Sequence, residues 1–355
     1  MKVGFVVPKF PPNVSGGGEI SAKLFAECYR EEGIEVEVLS FDKCSVEATK
    51  DPSYVRRVAI ESEREDYQNL LGYREIKKFA SDKDVIHSYN MTFHPAVSRL
   101  DDVLTIATLN SYPYVYPNQI EGLELSPTFP PYRALFNVVA RRMMKDIDCF
   151  VAVSGDVKKI CSRLLPAAEI KVLPEMYDPE FPSFEGITTC QNELLYVGRL
   201  HESKGVSQII DALEEMPKYK LRVVGKGQES QALREIVERR SLEDRVVFEG
   251  YLEQDELLRA YERAGWFIHP GKWPEPFGRT IIEAMQMETP VLATNKGGPK
   301  DILPEDQLFE EAGQVSEIID QLDYEDVLSY QNELLDNYEP RRVVGRYINL
   351  YNRLL

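Results

Sequence analysis

What narrows this sequence most is a series of short, largely apolar runs separated by helical patterns. In the first half they cover residues 3–7, 36–39, 85–86, 103–108, 149–153 and 170–173. Runs of this kind read as strands buried on both faces, whose sequences lack clean polar alternation. The clearest helix between them starts near Glu19, places Ile20, Leu24, Ala26 and Tyr29 along its course and stops at Gly33. Strand and helix in alternation imply a parallel sheet with right-handed crossovers. A second series follows at residues 194–197, 221–224, 246–248, 266–268 and 291–293. Between the two, residues 177–192 turn polar and carry Pro179, Pro182 and Gly186, as a linker would. The reading is two Rossmann-like, doubly wound α/β domains, residues 1–178 and 179–338. A last helix from about Arg341 to Leu355 sets Val343, Val344, Tyr347, Leu350 and Tyr351 along one side. Ligands of such sheets sit at the carboxyl ends of the strands, so a ligand shared by the domains is expected in the cleft between them.

Composition excludes several function classes. A chain of 355 residues is long for one core. No apolar run reaches the ~18 residues of a membrane span, and the start lacks the architecture of a signal peptide. Cys28, Cys44, Cys149, Cys161 and Cys190 are too scattered for a zinc cluster or a disulfide framework, which points to a reducing cytoplasm. A net charge of −17 argues against nucleic-acid binding. It also means that an anionic ligand must be met by local cations and backbone N–H groups. One local exception, residues 132–145, carries Arg133, Arg141, Arg142 and Lys145 around Leu135, Phe136, Val138 and Val139. That pattern suits a helix lying on an anionic membrane surface, but the simpler and preferred reading is a solvated helix face. Residues 111–131 are rich in Pro and Tyr and read as a long loop of the functional or mobile type.

Three motifs carry chemistry. The first is the glycine-rich stretch Pro11 to Glu19, with Gly16, Gly17 and Gly18, between the first strand and helix. Glycines there admit close backbone approach, and a helix N-terminus offers N–H groups to a phosphate. A tight strand-to-helix turn needs the same residues. The second is Gly198-Arg199-Leu200 with Lys204-Gly205, at the corresponding strand end of the second half. A planar guanidinium and a compact ammonium five residues apart suit a diphosphate. Two surface cations would read alike, but the position after a buried strand favours the ligand. The third is Trp273 to Met285, which sets Glu275 in a Pro-rich loop and Glu283 about one turn into a helix starting near Gly278. A carboxylate accepting two vicinal hydroxyls is a common ribose anchor. The apolar neighbours Ile281, Ile282, Ala284 and Met285 argue against an exposed helix face for Glu283.

These motifs, with Val223-Val224-Gly225-Lys226-Gly227 and Gly297-Gly298-Pro299, resemble the retaining glycosyltransferases of family 4 over nearly the whole chain. The resemblance implies the GT-B fold and transfer of a sugar from a nucleotide-diphosphate donor to a saccharide, lipid-linked or other hydroxyl acceptor. It implies that Gly16 and Gly17 meet the diphosphate through backbone and that Arg199 and Lys204 neutralise it. Glu283 would hold the ribose and Glu275 would face the donor sugar, with Phe277 and Gly278 offering N–H groups. The base would lie near Gly227, Tyr251 and Leu252. The donor is then a co-substrate, with no other cofactor and no metal. The pairs Asp82/Asp84 and Asp146/Asp148 precede strands, the wrong end of the sheet for a ligand. The first domain would take the acceptor near residues 111–131 and the second the donor, with residues 339–355 crossing back to the first domain. Peripheral contact with the inner membrane surface fits the basic segment. One departure stands out: where many members carry Thr-x-His, this chain has Thr108-Leu109-Asn110, so Asn110 takes the histidine's place. Asparagine hydrogen-bonds but shuttles no proton. His87 and His94 are the nearby substitutes, although a lone histidine at a strand end is commonly structural. The competing reading is a catalytically degenerate nucleotide-sugar-binding scaffold or regulator; a GT-B epimerase is disfavoured by the paired motifs.

Overall fold

The computed structural model describes residues 1–14, 16–42, 51–60, 65–112, 138–181 and 190–355. They divide into two compact units, Met1–Met176 with Glu339–Leu355, and Tyr177–Tyr338. Cys44, the bulk of the loop at 111–131, the stretch at 132–137 with Arg133, Leu135 and Phe136, and the linker residues Pro182 and Gly186 lie outside the described residues.

The first unit is built on β1 (Lys2–Val7), β2 (Glu35–Ser40), β3 (Val55–Arg57), β4 (Val85–Ser88), β5 (Leu104–Leu109), β6 (Cys149–Ala152) and β7 (Ile170–Val172). They form one sheet in the order β3-β2-β1-β4-β5-β6-β7, with every pairing parallel. Alternation along β1 divides its side chains between two layers. Val3, Phe5 and Val7 join helix Gly17–Glu31 and the C-terminal helix Pro340–Leu354 in one core. Val6 joins Ile76 and Phe79 of helix Glu65–Ala80 in the other. β3 was not anticipated: it is an edge strand of three residues, two of them arginines, and carries no apolar run.

The C-terminal helix buries the anticipated stripe of Val343, Val344, Tyr347, Leu350 and Tyr351. Its start is secured by Pro340 in the first turn and by Glu339, whose carboxylate accepts from the Arg342 N–H at 2.7 Å. Its end is tied to the sheet by a buried polar chain. Tyr29 donates to the Tyr351 hydroxyl at 3.0 Å, and that hydroxyl lies 2.6 Å from Nδ1 of His87. His87 Nε2 lies 2.6 Å from the Thr108 hydroxyl. His94 is engaged likewise, 2.7 Å from the Ser88 hydroxyl and 2.9 Å from the Thr108 carbonyl. Both histidines are therefore structural core residues. The acidic pairs are structural too. Asp84 accepts from the Lys2 N–H at 2.7 Å and Asp148 from the Thr105 N–H at 2.8 Å, each at the amino end of a strand.

The second unit repeats the plan with β8 (Cys190–Val197), β9 (Lys220–Val224), β10 (Val246–Gly250), β11 (Ala264–His269), β12 (Val291–Thr294) and β13 (Leu308–Phe309). Their order is β10-β9-β8-β11-β12-β13, again all parallel. β13, two residues long, also escaped the sequence reading. In each sheet the winding reverses between two neighbours, β1 and β4 in the first, β8 and β11 in the second. The loops leaving those strands diverge to opposite faces and open a crevice at the carboxyl edge. Among the described residues no helix is long and apolar enough to cross a membrane.

Burial holds His87 down to about 3 and His94 down to about 4, against an ordinary value of 6.5. The unfolded chain therefore takes up these protons first as pH falls. Their contribution to stability is complete above pH 6.5 and is lost progressively below it. Between pH 6 and 5 each should cost on the order of 1.4 kcal/mol per pH unit. Urea unfolding at pH 7 and pH 5 measures this, with His87→Phe expected to flatten the slope. A first unit equally stable at both values would show that the buried imidazoles accept protons in the fold.

Candidate functional site

In the second unit the site begins where β8 and β11 run side by side, with Leu194 beside Trp266 and Leu195 beside Phe267. The loop after β8 leads through Arg199 and Lys204 to helix Val206–Ala212. The loop after β11 leads through Glu275 to helix Arg279–Gln286. The backbone locks the loops together, since the N–H groups of Lys272 and Trp273 donate to the Ser203 carbonyl at 2.9 and 3.2 Å. Gly205 completes the lock. Its φ of 70° lies in the left-handed region, and its α-carbon abuts the Pro270 carbonyl so closely that a β-carbon has no room.

This packing delivers three ionisable side chains to one point. Lys204 Nζ lies 2.5 Å from Glu275 Oε2, and His269 Nε2 lies 3.7 Å from the same oxygen. The Glu275 backbone is held from behind by a bridge to Gly297 and by the Gly298 N–H, which donates to its carbonyl at 2.6 Å. Burial pushes the Glu275 pKa upward, but the nearby Lys204 ammonium, with Arg199, outweighs it and holds the carboxyl below its ordinary range. His269 is neutral, pushed down to about 4 by burial against the pull of Glu275. Its Nδ1 is buried and has no hydrogen-bond partner among the described residues. Sequence reasoning missed His269; its one signal was its place as the last residue of a buried strand at the winding reversal. Arg199 is exposed and has no ion-pair partner among the described residues, while its carbonyl accepts from the Tyr196 hydroxyl at 2.9 Å.

Glu283 belongs to a separate cluster. Tyr261, fully buried, donates its hydroxyl to Glu283 Oε2 at 3.2 Å, and the Arg279 guanidinium lies 3.8 Å from Oε1. Burial raises the Glu283 pKa while Arg279 and Tyr261 oppose it. Its neighbours Ile281, Ile282, Ala284 and Met285 are buried, so the carboxylate is not on an exposed face. Phe277 packs edge-on to Tyr338 with ring centroids 5.8 Å apart, and Gly278 caps the helix that carries Glu283. Gly227 lies against the Leu200 backbone, Tyr251 is 66% exposed and Leu252 half-buried.

In the first unit the loop after β1 is anchored by Arg57, buried at the end of β3. Its guanidinium donates to the carbonyls of Phe10 and Pro11 at 3.1 and 2.7 Å and pairs with Asp42 at 2.6 Å. Ser15 lies outside the described residues. Gly16 begins the helix, its N–H donating to the Glu19 carboxylate at 2.9 Å, and Gly17 is the first helical residue. The N–H groups of the first helical turn have no intrahelical acceptor. Asn110 follows β5 directly and donates through Nδ2 to Asn90 at 2.5 Å. Of the basic segment, Val138 and Val139 are half-exposed ahead of Arg141, Arg142 and Lys145.

Gly205→Ala tests the lock. A β-carbon at this φ, facing a carbonyl, should force the loop carrying Lys204 away from Glu275 and cost at least ~1 kcal/mol of stability. Chemical denaturation reads this directly. A variant as stable as the parent would show that the loops pack independently.

Two family descriptions match the chain: Glycosyltransferase Family 4 over residues 15–181 and Glycosyl transferases group 1 over residues 178–348. An uncharacterized glycosyltransferase of Methanocaldococcus jannaschii is 24% identical over 327 residues, 85% of this chain and 83% of its own. Among solved structures, sucrose-phosphate synthase from Thermosynechococcus elongatus superposes with a TM-score of 0.82 at 17% identity, covering 99% and 98% of the two chains. Anabaena HepE, solved in complex with UDP, gives 0.77 at 18% identity, covering 99% and 100%. The sheet order of both units, the paired loops and these matches agree, and the chain is a glycosyltransferase of the GT-B fold, belonging to the family 4 group.

Proposed function

We propose that this enzyme is a retaining glycosyltransferase that moves a sugar from a UDP- or GDP-sugar to a hydroxyl acceptor without a metal ion. The observation that carries the reading is the convergence of Lys204, Arg199 and Glu275 at the carboxyl edge of β8 and β11. Here the two cations take the diphosphate and Glu275 faces the sugar. As the glycosidic bond breaks, negative charge grows on the leaving diphosphate, and fixed cations stabilise that charge more than the ground state. Backbone N–H groups of Phe277 and Gly278, and of Gly16 and Gly17 in the first unit, add donors that need no reorganisation. Glu283 accepts from the ribose hydroxyls, and its opposed burial and Arg279 partner keep it poised for that exchange. Gly227, Tyr251 and Leu252 border the base, and HepE's complex with UDP makes a uridine nucleotide the first candidate. The first unit takes a saccharide or lipid-linked acceptor at the cytoplasmic membrane surface, where Arg141, Arg142 and Lys145 meet anionic headgroups. A nucleotide-sugar-binding regulator is the second reading, favoured by Asn110, which cannot shuttle a proton.

A panel of nucleotide sugars, assayed for hydrolysis and transfer with the anomeric configuration of the product followed, decides between these readings. Turnover with retention is expected; nucleotide binding with no turnover of any donor would leave the regulator. UDP or GDP should raise the melting temperature in the presence of a chelator, because a ligand of the folded state stabilises by mass action. No shift at millimolar nucleotide would dismiss the site.

The site residues divide by what they lose. Glu283→Ala should weaken free nucleoside diphosphate, whereas Glu275→Ala should chiefly slow turnover of the intact donor. Arg199→Ala and Lys204→Ala should each weaken diphosphate binding about tenfold to a hundredfold, from ~1.5–3 kcal/mol per charge-assisted hydrogen bond. Nucleosides without phosphate should bind both variants as they bind the parent. Equal losses for nucleoside and diphosphate would show a disturbed fold instead.

A further inference from the structure

Asn90, two residues beyond the end of β4, carries the backbone at a φ of 63°. Asparagine visits this left-handed region more readily than other side chains, but it persists only where the surroundings hold it. Here they hold the amide on two sides. Oδ1 accepts from Asn110 Nδ2 at 2.5 Å. On the other side the amide presses on the start of helix Gly17–Glu31. A β-carbon at Gly18 would lie 3.0 Å from both Cγ and Nδ2 of Asn90 and closer still to Oδ1. A side chain at the third glycine of the Gly16–Gly18 run would therefore have to displace the Asn90 amide. One side chain thereby joins the segments that follow β1, β4 and β5, all at the carboxyl edge of the sheet.

This junction fixes an orientation. An amide carries its oxygen and nitrogen on opposite sides of one planar carbon. With Nδ2 of Asn110 committed to Asn90, Oδ1 of Asn110 must turn away from it. Rotating the Asn110 amide would set oxygen against oxygen and lose the bond. We propose that Asn90 is a positioning residue for Asn110, holding its Oδ1 as an uncharged acceptor for a hydroxyl of the donor sugar. The inference rests on the proposed reading of Asn110 as a residue facing the donor sugar. It adds the device that makes an asparagine serviceable there: an acceptor of fixed direction. The buried histidines of this unit cannot supply that acceptor, since both ring nitrogens of His87 and of His94 are engaged in the core.

The test uses the full chain and the nucleotide sugar that the parent turns over best. Asn90→Gly keeps the left-handed turn and removes only the amide, while Asn90→Asp keeps an oxygen to accept from Asn110. Asn90→Gly should lower kcat on the order of tenfold, the loss of one oriented hydrogen bond, and Asn90→Asp should restore most of it. The melting shift given by UDP or GDP should stay unchanged in both. In an Asn110→Ala background, Asn90→Gly should add nothing, because both act through one contact. Gly18→Ala pushes the same amide from the other side and gives the same pattern should Asn90→Gly fail to fold. Unchanged kcat in Asn90→Gly, or effects that multiply with Asn110→Ala, would overturn the proposal while leaving the glycosyltransferase reading intact. A parent that turns over no nucleotide sugar would overturn both.

Discussion

A parallel strand cannot return to its neighbour by a short turn, so the chain must cross back over a face of the sheet. That constraint governs this molecule. It covers both faces of each sheet with helices, and it delivers every carboxyl end of a strand to the same edge. Where the winding reverses, beside β1 and β4 or β8 and β11, the departing loops separate and leave polar groups uncovered by either helical layer. The polar residues gathered above follow from this. Arg199, Lys204 and Glu275 stand on the loops after β8 and β11, and Asn90 stands on the loop after β4.

The pairing of Lys204 with Glu275 shows how such an edge tolerates charge. A partly buried carboxylate is costly alone, and burial by itself would raise its pKa. The nearby ammonium reverses that balance, and the loop that carries it is locked to its neighbour at Ser203. In the proposed function the same ammonium serves two anions. An arriving diphosphate competes with Glu275 for Lys204, while Arg199, which has no ion-pair partner among the described residues, is ready for the phosphate alone. The two cations are therefore not equivalent. Lysine is a compact charge on a flexible stem and can turn between partners, whereas the planar guanidinium suits a fixed, two-pronged contact. In that proposal Glu275 keeps the field of Arg199 while Lys204 turns away.

Burial on both faces is why so much of the fold was legible. It forces apolar runs at positions such as Phe5, Val38, Ile106 and Phe267, which no surface segment would carry. β3 escaped because it lies at the sheet edge, where Arg56 and Arg57 find carboxylates rather than a core. β13 escaped because two residues make no pattern. At the candidate site, the places of Arg199, Lys204, Glu275 and Glu283 in the fold were legible from spacing because each is tied to a local strand-to-helix turn. His269, Tyr261 and Asn90 were not. Their partners lie 6, 22 and 20 residues away and meet them only through sheet register and helix packing. The glycine run of the first unit was legible as a loop that needs close approach. That one of its glycines packs against an asparagine on the loop after β4 was not.

The departure at Asn110 then takes a different meaning. Read alone, an asparagine in place of a titrating side chain suggests lost chemistry. In the fold it is half of an amide pair whose other half adopts a left-handed backbone conformation and packs against Gly18. A retained strain with a defined hydrogen-bond direction is what a positioned acceptor requires. In the proposed function the tasks divide: fixed charge for the leaving group beside β8, and an uncharged, oriented amide beside β5. Neither proposed task requires a side chain to change protonation, so an asparagine at this position is compatible with the proposed hold on a sugar.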